Sequence, residues 1–410
     1  MKNRDLILTI ASIAGSGLLW GLSYQSSVFS LVSFAGLLPL FWSINKTNIA
    51  GASVIAFSSA LLAVFVGVFA DLQHMNSGQA ILFTVVQTTV LALPWIIYQL
   101  IRSRHNQKLG YVAFVSSWLT LEWLSSQFLG IGQSWQLGYS AAVFPLIIQW
   151  YCFLGVSAGT LWILSINIHI SRIIWPALAH TRRSAIINGS IVLIVPIVAS
   201  LVWPSGKGSD TISATVVQNK KSAVLMSEGM ESLLGKAAKH SGFWYNASND
   251  TLKTAYLINK EGSAELIQGK TVWISGIGGI SSQTLMLTDF ADIRCGLLNA
   301  SSFIHAESVR LYSADKCKLL IGFDADRNTD PLKIACRAIE NRMNILILTS
   351  KGDATLYLNS GSRFDFNGKF SANIADPSFF VLYGDLVGRL SIFVTGWLLL
   401  GTLVKPFRKK

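Results

Sequence analysis

Charge is scarce in this chain: only 13% of its 410 residues are Asp, Glu, Lys or Arg, while 51% are hydrophobic. Soluble domains carry about 25% charged residues, so a single water-soluble globule is excluded and the chain reads as a membrane protein. Cysteine is scarce too. Cys152, Cys295, Cys317 and Cys336 show no CxxC pair and no metal-ligand spacing, so the sequence supports neither a disulfide framework nor a metal centre. The glycine-rich stretch Ser275–Gly279 lacks a following GK(S/T), which removes the phosphate-loop reading and leaves a flexible turn. No cofactor is expected. The net charge of +12 would suit nucleic acid, but the basic residues sit in short segments beside apolar runs, as bilayer topology requires.

What is abundant is apolar sequence in long blocks. Runs able to cross a bilayer, which takes about 20 helical residues, occur at Leu6–Tyr24, Val28–Ile44, Ile49–Ala70, Ala80–Ile101, Tyr111–Leu129, Pro145–Ile170, Ala185–Trp203 and Phe379–Leu403. No small-x-small cleavage site follows the first, so it reads as a span rather than a signal peptide. Lysine and arginine alternate between connections. Lys2 and Arg4, Lys46, Arg102 with Arg104 and Lys108, Arg172 with Arg182 and Arg183, and Lys405 to Lys410 mark one side; Gln25–Ser27, Asp71–Gln79 and Gly130–Phe144 carry none. The positive-inside rule then places both termini in the cytoplasm and the long polar region outside the bacterial cytoplasmic (inner) membrane, on its periplasmic face.

That region, 204–377, separates a seven-span domain, 1–203, from an eighth span with a basic tail, 378–410. Its TISATVVQ, SAVLMSE, TAYLINKEG, KTVWIS, DIRCGLLN, KLLIGFD, NILILTS and ATLYLNSG read as strands, bounded by Gly, Asn, Asp or Ser. Helical patterns lie at Glu231–His240, Phe303–Ser313 and Asp330–Arg342, which together predict a layered α/β domain. The strand Ile293–Leu298 runs into a polar elbow at Asn299, Ala300, Ser301 and Ser302. Such strand-to-helix elbows expose a nucleophile in several hydrolase folds and set backbone N–H groups beside it.

Several segments recur in a telling order. LTLEWLSSQFLGIGQSWQLGY (Leu119–Tyr139) puts an acidic residue and tryptophan in the fifth span, ahead of a glycine- and tryptophan-bearing loop ending in LGY. VVQN (Val216–Asn219) opens the polar region, AVLMSEG (Ala223–Gly229) carries Glu228, and TAYLINKEGSAELIQGK (Thr254–Lys270) leads to Lys270. ACRAIENRMNILILTSKGDATLYLNSGS (Ala335–Ser362) forms a helix, strand and hairpin, and YGD (Tyr383–Asp385) enters the last span. Across nearly the whole chain, this order resembles the bacterial apolipoprotein N-acyltransferases, whose soluble part belongs to the nitrilase superfamily, also called carbon-nitrogen hydrolases.

The resemblance implies ping-pong acyl transfer. A cysteine thiolate takes an acyl chain from a phospholipid and passes it to the α-amino group of a lipoprotein's N-terminal diacylglyceryl cysteine. It assigns the general base to Glu228 and the oxyanion-stabilising charge to Lys270. Taken alone, Glu228 reads as well as a helix-capping acid, and Lys270 as an exposed strand-end charge. The nucleophile is where this chain departs. Counting back from Val309–Arg310, that position falls on Ala300, with Ser301 and Ser302 where the family shows tyrosine and glutamate. A methyl group forms no acyl-enzyme. Cys295 lies five residues earlier, about 16 Å away at about 3.3 Å per residue, and Ser301 offers only a hydroxyl, a poorer nucleophile than a thiolate.

Other departures agree: the arm between VVQN and Glu228 is short, SGIGG stands where the family reads PFGE, and Gly322 and Phe323 precede a retained Asp324 read as structural. The expectation is therefore a polytopic α-helical membrane protein of eight spans with an inserted extracytoplasmic α/β nitrilase-like domain. It is expected to handle phospholipid acyl chains or lipoprotein N-termini with its thioester chemistry impaired, as a pseudoenzyme. The alternative is a non-catalytic docking component of a membrane assembly, such as a secretion or conjugation system, with a protein partner.

Overall fold

The computed structural model describes residues 3–25, 29–72, 77–128, 136–175, 179–202, 210–219, 222–227, 242–248, 251–258, 264–266, 269–276, 279–290, 293–299, 303, 305–324, 330–349, 354–366 and 369–404. The chain divides into two units: one of Met1–Val143, Val156–Val198 and Asp385–Lys410, the other of Phe144–Gly155 and Ala199–Gly384.

The first unit is helical: α1 (Asn3–Gln25), α2 (Leu38–Ile44), α3 (Ile49–Leu72), α4 (Ser77–Arg104), α5 (Gln107–Phe128), most of α6 (Tyr151–Ile174), α7 (Ala179–Val202) and α11 (Leu386–Val404). Among the described residues six helices are long and apolar enough to cross a membrane: Arg4–Tyr24, Ile49–Gly67, Ala80–Arg104, Tyr151–Ile174, Arg182–Val202 and Leu386–Val404. The fifth apolar run becomes α5, a 22-residue helix whose Ser117, Thr120, Glu122 and Ser125 are buried, which makes it less apolar than those six.

The second run, Val28–Ile44, is not one helix. It breaks into a 3-10 turn, Ser30–Phe34, and the seven-residue α2 with Pro39 in its first turn; at about 1.5 Å per residue α2 falls well short of a bilayer's thickness. Backbone groups freed by a break at membrane depth need partners from the protein. Asn167 of α6 supplies two, accepting from Leu37 N at 3.3 Å and donating to Ser33 O at 2.9 Å, and Ser16 Oγ accepts from Leu40 N at 3.2 Å. The eighth run is also interrupted: Gly384, at φ 68°, ends a short helix α10 (Phe379–Tyr383) before α11 begins.

An aromatic core holds this unit, with ring centroids 5.0 Å apart for Trp20–Trp118, 4.7 Å for Phe41–Trp95 and 4.4 Å for Trp95–Phe114. Gly17 and Gly21, four residues apart, let α1 lie close on α3. A methyl group at Gly21 would stand 2.7 Å from Ala63 O and Val66 Cβ, the close approach that small residues permit between membrane helices.

The second unit carries two sheets. The first contains β1 (Asp210–Asn219), β2 (Ser222–Ser227), β3 (Gly242–Ser248), β4 (Thr251–Ile258), β5 (Ala264–Leu266) and β13 (Lys369–Ile374) in the order β13-β1-β2-β3-β4-β5. The second contains β6 (Gly269–Gly276), β7 (Gly279–Phe290), β8 (Ile293–Asn299), β9 (Leu319–Asp324), β10 (Asn344–Thr349), β11 (Ala354–Tyr357) and β12 (Arg363–Phe366) in the order β12-β11-β10-β9-β8-β7-β6. Among the described residues only β8–β9 and β9–β10 pair in parallel. Their crossovers are α8 (Ala306–Ala314) and α9 (Pro331–Asn341), whose Val309, Tyr312, Ile334, Ala335 and Ala338 pack with Leu298, Leu320, Ile345 and Ile347 in one buried cluster. The Phe144–Gly155 segment is tied in by Gln149 Nε2, which donates to Ser360 O at 2.8 Å. SGIGG proves to be a strand junction, with Gly276 paired to Gly279 between β6 and β7.

Candidate functional site

Of the site residues expected from sequence, Glu228, Ala300 and Ser301 lie outside the described residues, as does the Glu231–His240 helix. Their flanking strands are described. β2 ends at Ser227, directly before Glu228, paired with Ala214 of β1. β8 ends at Asn299, directly before Ala300, paired with Phe323 of β9. Lys270 is the second residue of β6 and pairs with Leu285 of β7, while the adjacent Gly269–Met286 pair continues to Leu297 of β8. Register therefore sets the Lys270 backbone level with Leu298. That is the end of the seven-stranded sheet at which β8 finishes, two strand spacings of about 4.8 Å across.

Phe303, the first described residue after Asn299, is held by contacts that sequence reasoning missed. Phe303 is fully buried, and its ring lies where a Cβ on Gly322 would fall. The Gly322 departure noted in the sequence thus makes room for Phe303. Arg337 Nε donates to Phe303 O at 3.3 Å, and its guanidinium pairs with Glu340, both side chains 1% exposed. A buried ion pair stays charged only with such extra hydrogen bonds. Ser378 Oγ donates to Glu340 O, and Asn341 Nδ2 donates to Arg337 O at 2.9 Å. Arg337 and Glu340 belong to the Ala335–Ser362 stretch, which the resemblance included without giving either residue a role. The expected helix start at Phe303 moves to Ala306, because Phe303 is committed to β9.

Tyr312 of α8 lies over the strand before the elbow. Its ring occupies the place a Cβ on Gly296 would take, 2.5 Å from Cδ1. Its hydroxyl donates to Leu297 O at 2.6 Å and accepts from Met286 N at 3.1 Å; burial raises its pKa, so the hydroxyl stays protonated. Cys295 is buried inside β8. Burial also pushes the Cys317 thiol up to about 12 and raises that of Cys336, which keeps both as unreactive thiols. No disulfide joins any of the four cysteines.

In the first unit Glu122 is the polar centre. Its carboxylate accepts from Trp118 Nε1 at 2.8 Å, Leu137 N at 3.2 Å and Thr160 Oγ1 at 2.9 Å, while Thr160 accepts from Gly138 N at 3.0 Å. One acid thereby joins α5, the LGY turn and α6, which explains why the sequence pairs an acidic residue with that turn. Asp385 accepts from Ser157 Oγ and, at 2.9 Å, from Gly388 N. Among the described residues no group of three or more His, Cys, Asp or Glu side chains forms a metal-ligand set.

Comparison with solved structures finds amidases at low overall likeness. A cysteine-to-alanine mutant of the amidase from Nesterenkonia sp. AN1 in complex with butyramide is 15% identical with a TM-score of 0.23, over 32% of this chain and 57% of the amidase. An amidase from Nesterenkonia sp. is 15% identical with a TM-score of 0.24, over 34% of this chain and 60% of that one. The chain thus spans less than two thirds of either amidase. No curated protein matches it. Residues 16–169, from α1 into α6 and including Glu122 and its partners, match the family described as the apolipoprotein N-acyltransferase N-terminal domain. Over that stretch the chain is similar to the apolipoprotein N-acyltransferases, and its long apolar helices are those of a membrane protein.

Proposed function

We propose that this protein is a relative of the apolipoprotein N-acyltransferases that binds phospholipid acyl chains or lipoprotein N-termini and has lost the family's thioester chemistry. What carries the reading is the sequence: the resemblance assigns the nucleophile position to Ala300, and a methyl group accepts no acyl chain. Support comes from the family match over residues 16–169 and from the register that sets Lys270 at the same sheet end. Eight crossings, the second made by the Ser30–Phe34 turn and α2 together, with the soluble unit on the periplasmic side of the bacterial inner membrane and both termini in the cytoplasm, complete the proposal. Single-cysteine labelling of intact cells should then modify a probe near Gly262 and spare probes near Arg104 and Arg182.

The test is intact-protein mass spectrometry after incubation with a phospholipid acyl donor. The parent should show no covalent adduct while still binding the lipid. A stable adduct on the parent overturns the loss of chemistry, and absence of lipid binding overturns the substrate class.

A further inference from the structure

The helix α11 carries two opposed stripes. Gly388, Ser391, Thr395 and Thr402 are buried, and the first three face α5. Thr120 Oγ1 shares hydrogen bonds with Ser391 Oγ at 3.0 Å and Thr395 Oγ1 at 3.1 Å, and a Cβ on Gly388 would collide with the Trp123 ring. On the other side Phe393, Trp397, Leu400 and Val404 are each at least 61% exposed, at the spacing of one helical face that lipid covers. Arg389, also exposed, stands four residues before Phe393 at the head of that stripe.

A guanidinium in this place needs a counter-ion. At about 1.5 Å per residue the 19 residues of α11 span about 28 Å, close to the thickness of a bilayer's hydrocarbon core. Arg389, the fourth residue, therefore lies about one turn inside that core, at the end of α11 opposite the Lys405–Lys410 tail. A charge facing hydrocarbon is costly unless it is paired or reaches the interface. Among the described residues Arg389 makes no ion pair, and the nearest carboxylate in sequence, Asp385, accepts instead from Ser157 Oγ and Gly388 N. Nor does the helix favour it, since a cation in the first turn opposes the macrodipole. The bilayer supplies what the protein does not. An arginine side chain reaches back to headgroup level along its own apolar stem, and its planar fork matches two oxygens of a phosphate.

We propose that Arg389 and the face of α11 below it form a binding site for one phospholipid of the adjacent leaflet, with the guanidinium holding the phosphodiester and Phe393 and Trp397 lying along an acyl chain. The inference needs α11 to cross the membrane, and it does not rest on the acyl-transfer ancestry or on the fate of the nucleophile.

The test titrates the full-length protein in detergent with phosphatidylglycerol and counts bound lipids by native mass spectrometry. The parent should retain one phosphatidylglycerol more than Arg389→Gln, whose affinity for that lipid should fall about fivefold or more, and Arg389→Lys, which keeps the charge, should recover most of the loss. Diacylglycerol has the same chains without the phosphate and should bind parent and Arg389→Gln equally. Equal retention of phosphatidylglycerol by parent and Arg389→Gln overturns the site. A loss in Arg389→Gln that diacylglycerol shares overturns phosphate recognition. Displacement of the retained lipid by excess inorganic phosphate would show a free-anion site and overturn the assignment to phospholipid.

Discussion

Trp162 donates its indole N–H to the carbonyl oxygen of Val192 at 2.8 Å. That carbonyl lies four residues before Pro196, which sits inside α7 and has no N–H to return to it. In a bilayer a freed carbonyl must find a donor within the protein, and Trp162 is that donor. Trp162→Phe should therefore cost about 1 kcal/mol in thermal unfolding in detergent. In a Pro196→Ala background, where residue 196 regains its N–H, most of that loss should disappear. An equal loss in both backgrounds would assign the effect to packing.

Glu122 collects three donors, so the identity of its replacement should matter. Glu122→Ala strands Trp118 Nε1 and Leu137 N and should cost about 3 kcal/mol. Glu122→Gln keeps an acceptor, and its amide can donate to Thr160 once that hydroxyl rotates, for a cost of about 1 kcal/mol. Thermal melts of the two variants in the same detergent decide this; equal costs would mean that the carboxylate's charge, rather than its acceptors, matters.

Removing one side of the Arg337–Glu340 pair should be worse than removing both. Arg337→Met leaves Glu340 buried without its partner and should cost about 3 to 5 kcal/mol, while Arg337→Met with Glu340→Leu should cost clearly less. Chemical unfolding in detergent measures the coupling. Additive losses would show that Arg337 acts chiefly through Phe303 O.

His305 precedes α8, and its pKa is lowered by burial first and by the Arg337 charge second. A base with a lowered folded pKa is held neutral by the fold, so the unfolded chain binds more protons at acid pH. The stabilisation it contributes is complete above the unfolded value of about 6.5 and is lost as pH falls through the folded value. His305→Asn should flatten the acid limb of stability between about pH 7 and pH 5; an unchanged limb would place the acid sensitivity in other groups.

Much of the fold was legible because burial dictates composition. Continuous apolar runs mark helices solvated by lipid, and β-branched stretches bounded by turn residues correspond to β1, β2, β4, β6 and β8 to β11. β7 was missed, since Gly279–Phe290 mixes Ser, Gln and Thr with apolar residues and is recognised as a strand only through its pairings with β6 and β8. The break in the second apolar run was missed for a related reason: hydropathy counts residues, whereas the break at Ala35–Leu37 depends on Asn167 and Ser16 supplying backbone partners from other helices.

By itself the sequence determined the membrane character, the alternation of basic connections, and the alanine where an acyl-transfer nucleophile is expected. These are properties of single residues or contiguous runs, and lipid, charge and covalent chemistry act on them directly. Tertiary structure alone decided that Gly322 makes room for Phe303, that Gly296 makes room for Tyr312, that Arg337 bonds the Phe303 carbonyl, and that Phe144–Gly155 belongs to the second unit. Each of those is a contact between residues distant in the chain, and a missing Cβ or a buried arginine acquires meaning only once the partner that fills or pairs with it has been brought alongside.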